Sequence, residues 1–201
     1  MIYITTPDGV FGADLDIESG VLRDLRPMLP GAKTSFLAMH PTRPLLYVPE
    51  PDTVTSYRVT DEGALTELNR VAMAGGRPVH IGIDPSARLA VIPSYPGATT
   101  AVFPLNEDGS LEPHSALFTH EGASVHPKRQ TRAYPHGVDF HPTLDLAAVA
   151  DLGSDKLWLY DVDRANRTLV PRDPPAVVMT PGAGPRHLVF DRDRLYVVNE
   201  L

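Results

Sequence analysis

The chain has 201 residues, of which 42% are hydrophobic and 21% charged, enough apolar material for a packed core and a length that suits one domain. A net charge of −7 argues against a generally basic nucleic-acid binder, no run approaches the roughly 18 apolar residues of a membrane span, and the N-terminus lacks a leader pattern. Cysteine is absent, which excludes disulfides, thiolate nucleophiles and Cys-held zinc; a cytoplasmic protein without membrane or nucleic-acid partners is the expectation.

Proline numbers 21 and glycine 15. Proline interrupts helix interiors and central strands, so this many must sit in turns between short elements. Helical periodicity is nearly absent. In chain order the β-rich runs are Ile2 to Thr5, Leu45 to Val48, Leu89 to Ile92, Leu146 to Ala150, Leu157 to Tyr160 and Leu195 to Val198, with turn signals such as Asp8-Gly9, Glu62-Gly63 and Asp108-Gly109 between them.

These runs belong to a longer repeat. Four segments align: residues 35–41, 79–85, 136–142 and 186–191, each an alternating apolar strand that ends at His40, Asp84, His141 or Asp191 before a short turn and a second apolar strand. The anchor spacings are 44, 57 and 50 residues. Periods of about 40–50 residues in a strand-only chain predict propeller blades of four strands. Within a blade the third strand is the type at Thr53 to Val59, Thr100 to Leu105 and Leu157 to Val162, and the fourth is the type at Leu65 to Val71. Residues 1–29 read as three outer strands of a blade, giving about 17 strands, or four and a quarter blades. An all-β partial or open propeller over residues 1–201, lacking C-terminal blades and exposing strand edges through which copies could self-associate, is therefore expected. A sandwich or barrel is the less periodic alternative. The widest spacing reflects a His- and Arg-rich inter-blade loop, residues 118–135.

Columns of the repeat locate candidate chemistry. The first position of the innermost strand is Ser35, Val79, His136 and Arg186; the returning second strand ends at Glu50, Ser94, Asp151 and Glu200. A histidine, an arginine and carboxylates are thus expected on one rim of the central channel. His136 can exchange protons near neutral pH, Arg186 can stabilise an oxyanion, and Glu200 can orient Arg186 or act as a base. Glu50 and Asp151 are candidate substrate contacts on the same rim, His187 is a further candidate contact beside Arg186, and Lys128, Arg129 and Arg132 could hold a phosphate or carboxylate. His40 and His141, each before proline, read as structural; His80 and His187 are placed on the opposite strand face, where packing is expected. No metal-ligand spacing, nucleotide loop or serine-nucleophile elbow occurs, so no metal or cofactor is expected.

The segments 134–163 and 181–201, with 36–50, 75–95 and 120–136 in the same order, resemble the lactonase propeller family, which includes the cycloisomerase-type 6-phosphogluconolactonases and the carboxy-cis,cis-muconate lactonizing enzymes. The most specific pieces are PH…ADLG and GAGPRH…NEL. The resemblance implies a seven-bladed propeller and a channel-mouth site of His136, Arg186 and Glu200, acting without cofactor on a sugar-acid lactone in the pentose phosphate pathway; a lactonizing reaction or a non-catalytic binding scaffold are the alternatives. Gly137 follows His136 where serine is common in the family, Pro49-Glu50 replaces an Asn-Glu pair, and a further arginine from later blades has no counterpart in these residues.

Overall fold

The structure is a computed structural model that describes all 201 residues. It contains 17 strands in five antiparallel sheets and no helix. The first sheet has three strands, β1 (Ile2–Thr6), β2 (Gly9–Leu15) and β3 (Leu22–Pro30). Blade A comprises β4 (Ala38–Met39), β5 (Leu45–Pro49), β6 (Thr53–Val59) and β7 (Leu65–Ala72). Blade B comprises β8 (Gly82–Ile83), β9 (Leu89–Ser94), β10 (Thr99–Pro104) and β11 (Ala116–Thr119). Blade C comprises β12 (Pro135–Phe140), β13 (Leu146–Asp151), β14 (Lys156–Asp163) and β15 (Thr168–Val178). Two strands of blade D follow, β16 (Pro185–Asp191) and β17 (Arg194–Asn199). Every strand pairs with its neighbours in chain order, so each blade is a meander with the repeat's first strand innermost.

The core lies between blades. In β9 the side chains alternate: Leu89 and Val91 pack toward Val138, Phe140 and Val149 of blade C, whereas Ala90 and Ile92 pack toward Tyr47 and Val54 of blade A. Both faces of blade B are therefore covered, and every residue of β9 and β10 is buried. That is why these strands read as continuous apolar runs rather than as a polar and apolar alternation. A smaller cluster, Leu46, Val48 and Tyr57 with Tyr3 and Leu29 against it, joins blade A to the first sheet. Beyond blade D, Val189, Tyr196 and Val198 face solvent.

The inner strands of blades A and B are only two residues long, shorter than the alternation suggests. In blade B the cause is visible at Pro93. Val79 N–H donates to the Pro93 carbonyl at 3.1 Å, and Pro93 has no N–H to return the bond. Blade C has Ala150 at the equivalent place, and its inner strand runs six residues.

The anchors close the turn that follows each inner strand. His40 Nδ1 accepts the N–H groups of Thr42 and Arg43, both at 3.2 Å; His141 Nδ1 accepts those of Thr143 and Leu144 at 3.2 and 3.0 Å. Asp84 does the same with a carboxylate: Oδ1 accepts Arg88 and Leu89 N–H, each at 2.6 Å, and Oδ2 accepts from Ser86 and Arg164. In the loop of residues 118–135, His126-Pro127 repeats this device, with Nδ1 accepting Lys128 and Arg129 N–H at 3.3 and 3.1 Å. Asp191 differs: Asp191 pairs directly with Arg194, so Arg192 and Asp193 form a two-residue turn, and the left-handed φ of 54° at Arg192 replaces the cap.

Candidate active site

The inner strands of blades C and D each carry one extra residue near their start. In blade C, Pro135 faces Asp151 and Val138 faces Val149, leaving one residue unmatched; in blade D, Pro185 faces Asn199 and His187 faces Val198, leaving Arg186 over. Such bulges turn side chains out of the ladder's alternation. They aim His136 and Arg186 toward one another across two blades. Arg186 Nε–H donates to His136 Nε2 at 3.1 Å, and Arg186 Nη1 lies 3.0 Å from Glu200 Oε2. Arg129, from the inter-blade loop, pairs with the other oxygen, Oε1 of Glu200, and its Nη2 approaches the Tyr95 hydroxyl at 3.5 Å.

Two local arrangements hold these groups in place. Asp155, itself buried, accepts Gly182 N–H at 2.6 Å and Gly184 N–H at 2.7 Å, fixing the loop that leads into Arg186; Glu200 N–H donates back to the Gly184 carbonyl at 2.8 Å. Gly137 makes room: a Cβ there would stand 2.6 Å from the Arg186 carbonyl oxygen and 3.0 Å from His187 Cα, so blades C and D touch main chain to main chain beside the site.

The electrostatics define the protonation of His136. Because Arg186 donates to Nε2, the ring proton resides on Nδ1, a buried atom with no partner. Burial, then the charges of Arg186, His187 and Arg129, hold the pKa of His136 down to about 3. It is a neutral acceptor at neutral pH, with its one bare nitrogen already engaged.

A cavity of about 580 Å³ opens onto these groups, lined among others by Ser35, Arg77, Tyr95, His136, Arg186 and His187. His187 faces this cavity, and its ring lies 5.0 Å from that of His136 and 5.6 Å from that of His80. The expectation that His187 lies on the opposite strand face is therefore corrected, whereas His80 packs against Phe36 as expected and does not line the cavity. Phe36, His80 and His187, each four residues before an anchor, lie against one another: the His80 ring is tilted 3.9 Å from Phe36, and Phe36 is 6.1 Å from His187. Burial, with the neighbouring His187 and His136, lowers the pKa of His80 to about 3; burial and Arg186 lower that of His187.

Other expected contacts go elsewhere. Asp151 is fully buried and committed to the fold: Oδ1 accepts Tyr134, Gly153 and Ser154 N–H at 2.6, 3.0 and 3.2 Å, and Oδ2 accepts Trp158 Nε1–H at 3.0 Å. It closes a turn, as Asp84 does, and offers nothing to the cavity. Glu50 accepts Lys33 N–H at 2.8 Å and does not line the cavity. The three loop cations diverge. Arg129 turns in to Glu200, Arg132 turns to the Pro96 carbonyl at 2.5 Å and lies over the Tyr134 ring, and Lys128 stands exposed away from the cavity. The His126 turn sends successive side chains in different directions.

Tyr95 and Arg77 were not among the expected site residues. Strand pairing shows why Tyr95 was missed. Asn199, not Glu200, is the equivalent of Ser94 and Asp151, since each faces the proline that precedes the bulge. Shifting the column by one residue places Tyr95 in register with Glu200.

A family model of the lactonases, seven-bladed β-propeller proteins, matches residues 1–201. The chain is 28% identical to the 6-phosphogluconolactonase of Bacillus subtilis, over 96% of this chain and 56% of that protein. It is 33% identical to the 6-phosphogluconolactonase of Pectobacterium atrosepticum, over 82% of this chain and 47% of that one. The solved structure of the periplasmic gluconolactonase of Pseudomonas aeruginosa superimposes with a TM-score of 0.84 at 27% identity, covering 96% of this chain and 58% of that one. The chain spans about half the length of the curated relatives it matches.

Proposed function

The chain belongs to the seven-bladed β-propeller lactonases, and on that premise we propose that it serves the hydrolysis of a sugar-acid lactone of the 6-phosphogluconolactone class. The observation that carries this reading is Arg186, which spans the gap between His136 on blade C and Glu200, the residue just after β17.

The sequence assigns proton transfer first to His136. The geometry favours a different division of labour. The one bare nitrogen of His136 already accepts Arg186 Nε–H, so this ring has no free lone pair with which to take a proton from water. Glu200 is a carboxylate with about four acceptor positions, of which its two arginine partners occupy a part. In the proposed reaction Glu200 removes a proton from water as the water oxygen bonds to the lactone carbonyl carbon. The carbonyl electron pair moves onto oxygen, where Arg186 meets the developing charge. The tetrahedral intermediate then expels the ring oxygen, which takes the proton back from Glu200. His136 holds the Arg186 guanidinium in plane by accepting its Nε–H and acts as a positioning residue.

The test is turnover of 6-phosphogluconolactone by the full-length gene product. Glu200→Gln is expected to lower kcat by about 100-fold or more, the range typical of a lost general base, while His136→Ala lowers it less. Unchanged turnover in Glu200→Gln and in Arg186→Ala would remove this mechanism.

A further inference from the structure

The repeat that places His136 and Arg186 also places a second pair of cations. Seven residues before the anchors His40 and Asp84 stand Lys33 and Arg77, equivalent positions on blades A and B; the same position holds Tyr134 and Gly184 on blades C and D. The cationic pair thus belongs to one half of the rim. Lys33 and Arg77 line a second cavity of about 420 Å³, and none of its lining residues is acidic. This cavity shares Ser35, Arg77 and Pro78 with the first, so the two form one continuous groove.

The donors in this groove are unspent. None of the nine ion pairs of the chain involves Lys33 or Arg77. The Arg77 carbonyl is fixed, accepting the Ser94 hydroxyl at 2.9 Å, and Lys33 N–H is fixed on Glu50, so both backbones are held while both charged heads stay available. The main-chain N–H groups of Thr34 and Ser35, between the two cations in the groove wall, have no acceptor within the chain. Arg186 and Arg129, by contrast, are already paired with Glu200 at the reacting end. Two free cations with free N–H groups suit a dianionic tetrahedral group, whose double charge matches the two cations and whose three oxygens accept several charge-assisted bonds at once.

We propose that Lys33 and Arg77, with the Thr34–Ser35 main chain, form the subsite that holds the phosphate of a phosphorylated sugar acid, while its lactone end lies at Arg186 and Glu200. This rests on the lactonase reading for the orientation of the substrate but not for the binding of phosphate itself. It also reassigns the phosphate role from Lys128, Arg129 and Arg132, which do not converge.

Calorimetry with the full-length gene product compares two product acids, 6-phosphogluconate and gluconate. The wild type is expected to bind the phosphorylated acid at least about tenfold more tightly, as befits several charge-assisted bonds. The Lys33→Ala/Arg77→Ala double variant should bring that ratio close to one, with gluconate affinity and the thermal melt unchanged, and Lys128→Ala should leave the ratio intact. Equal binding of both acids by the wild type, or a ratio that survives in the double variant, would overturn the subsite. If the wild type hydrolyses neither lactone but shows the ratio and its loss, the subsite stands and the hydrolase reading falls.

Discussion

The two ends of each inner strand use similar residue types for opposite purposes. At the turn end, His40, Asp84 and His141 bond the main chain two to five residues ahead on their own blade, and only the second oxygen of Asp84 also reaches across, to Arg164 of blade C. At the mouth end, His136 and Arg186 bond side chains, and they do so across blades. A group that repeats from blade to blade with the same local partners is part of the turn. A group that differs from blade to blade and reaches across a gap belongs to a site that the blades assemble jointly. Histidine identity alone separates nothing; the partner does.

The sharpest way to break this contrast is Arg186→Ala. It should lower kcat by about 100- to 1000-fold, the loss seen when one oxyanion donor is removed, while the urea midpoint of the full-length protein stays put, because the side chain is 44% exposed. The opposite pattern is expected for Asp84→Ala. Leaving the buried Leu89 N–H without its acceptor, and those of Ser86 and Arg88 with solvent alone, should cost about 3 kcal/mol in urea unfolding, with turnover per folded molecule preserved. A parallel loss in both quantities for either variant would erase the distinction. Gly137→Ala probes the boundary between the two roles. Its added methyl meets the Arg186 carbonyl oxygen at 2.6 Å, and a shift of about 1 Å in catalytic geometry can cost roughly 100-fold in rate; kcat should fall with a smaller change in the melt.

A further effect is expected on the pH dependence of stability. His80 and His136 are held at about 3 and His120 at about 4, burial being the main cause in each. In the unfolded chain a histidine titrates near 6.5, so the unfolded state binds more protons between that value and the folded ones. Stability contributed by these neutral rings is present above about pH 6.5 and declines as the pH falls toward 3 to 4. Urea midpoints at pH 7.5 and pH 5 should show the decline, and His120→Gln, which can keep the bond to the Thr100 hydroxyl, should reduce it.

Much of this was legible in the sequence because a propeller repeats. The expected strands Thr53 to Val59 and Leu65 to Val71 correspond to β6, Thr53–Val59, and β7, Leu65–Ala72, and the blade order follows from the anchors. Bulges were not legible. An extra residue leaves no mark in an apolar pattern, yet it decides that His136 and Arg186 turn toward each other and that Glu200 stands one place beyond the column it was assigned to. The sequence also could not separate Asp151, whose carboxylate is consumed by its own turn, from an acid facing the cavity. The loop cations misled for a related reason: closeness along the chain says little once a His-Pro turn has fanned the side chains apart. Arg77 went unseen because it lies in a connection, outside the alternation that makes strand positions readable.

The main-chain contact at Gly137 has a consequence for how the protein tolerates change. Backbone leaning on backbone acts as a mechanical stop, and a stop does not depend on which rotamers surround it. The gap that Arg186 must bridge is therefore set by the stacking of two sheets, so side chains elsewhere on the rim are free to vary between relatives without detuning the reach of that one arm.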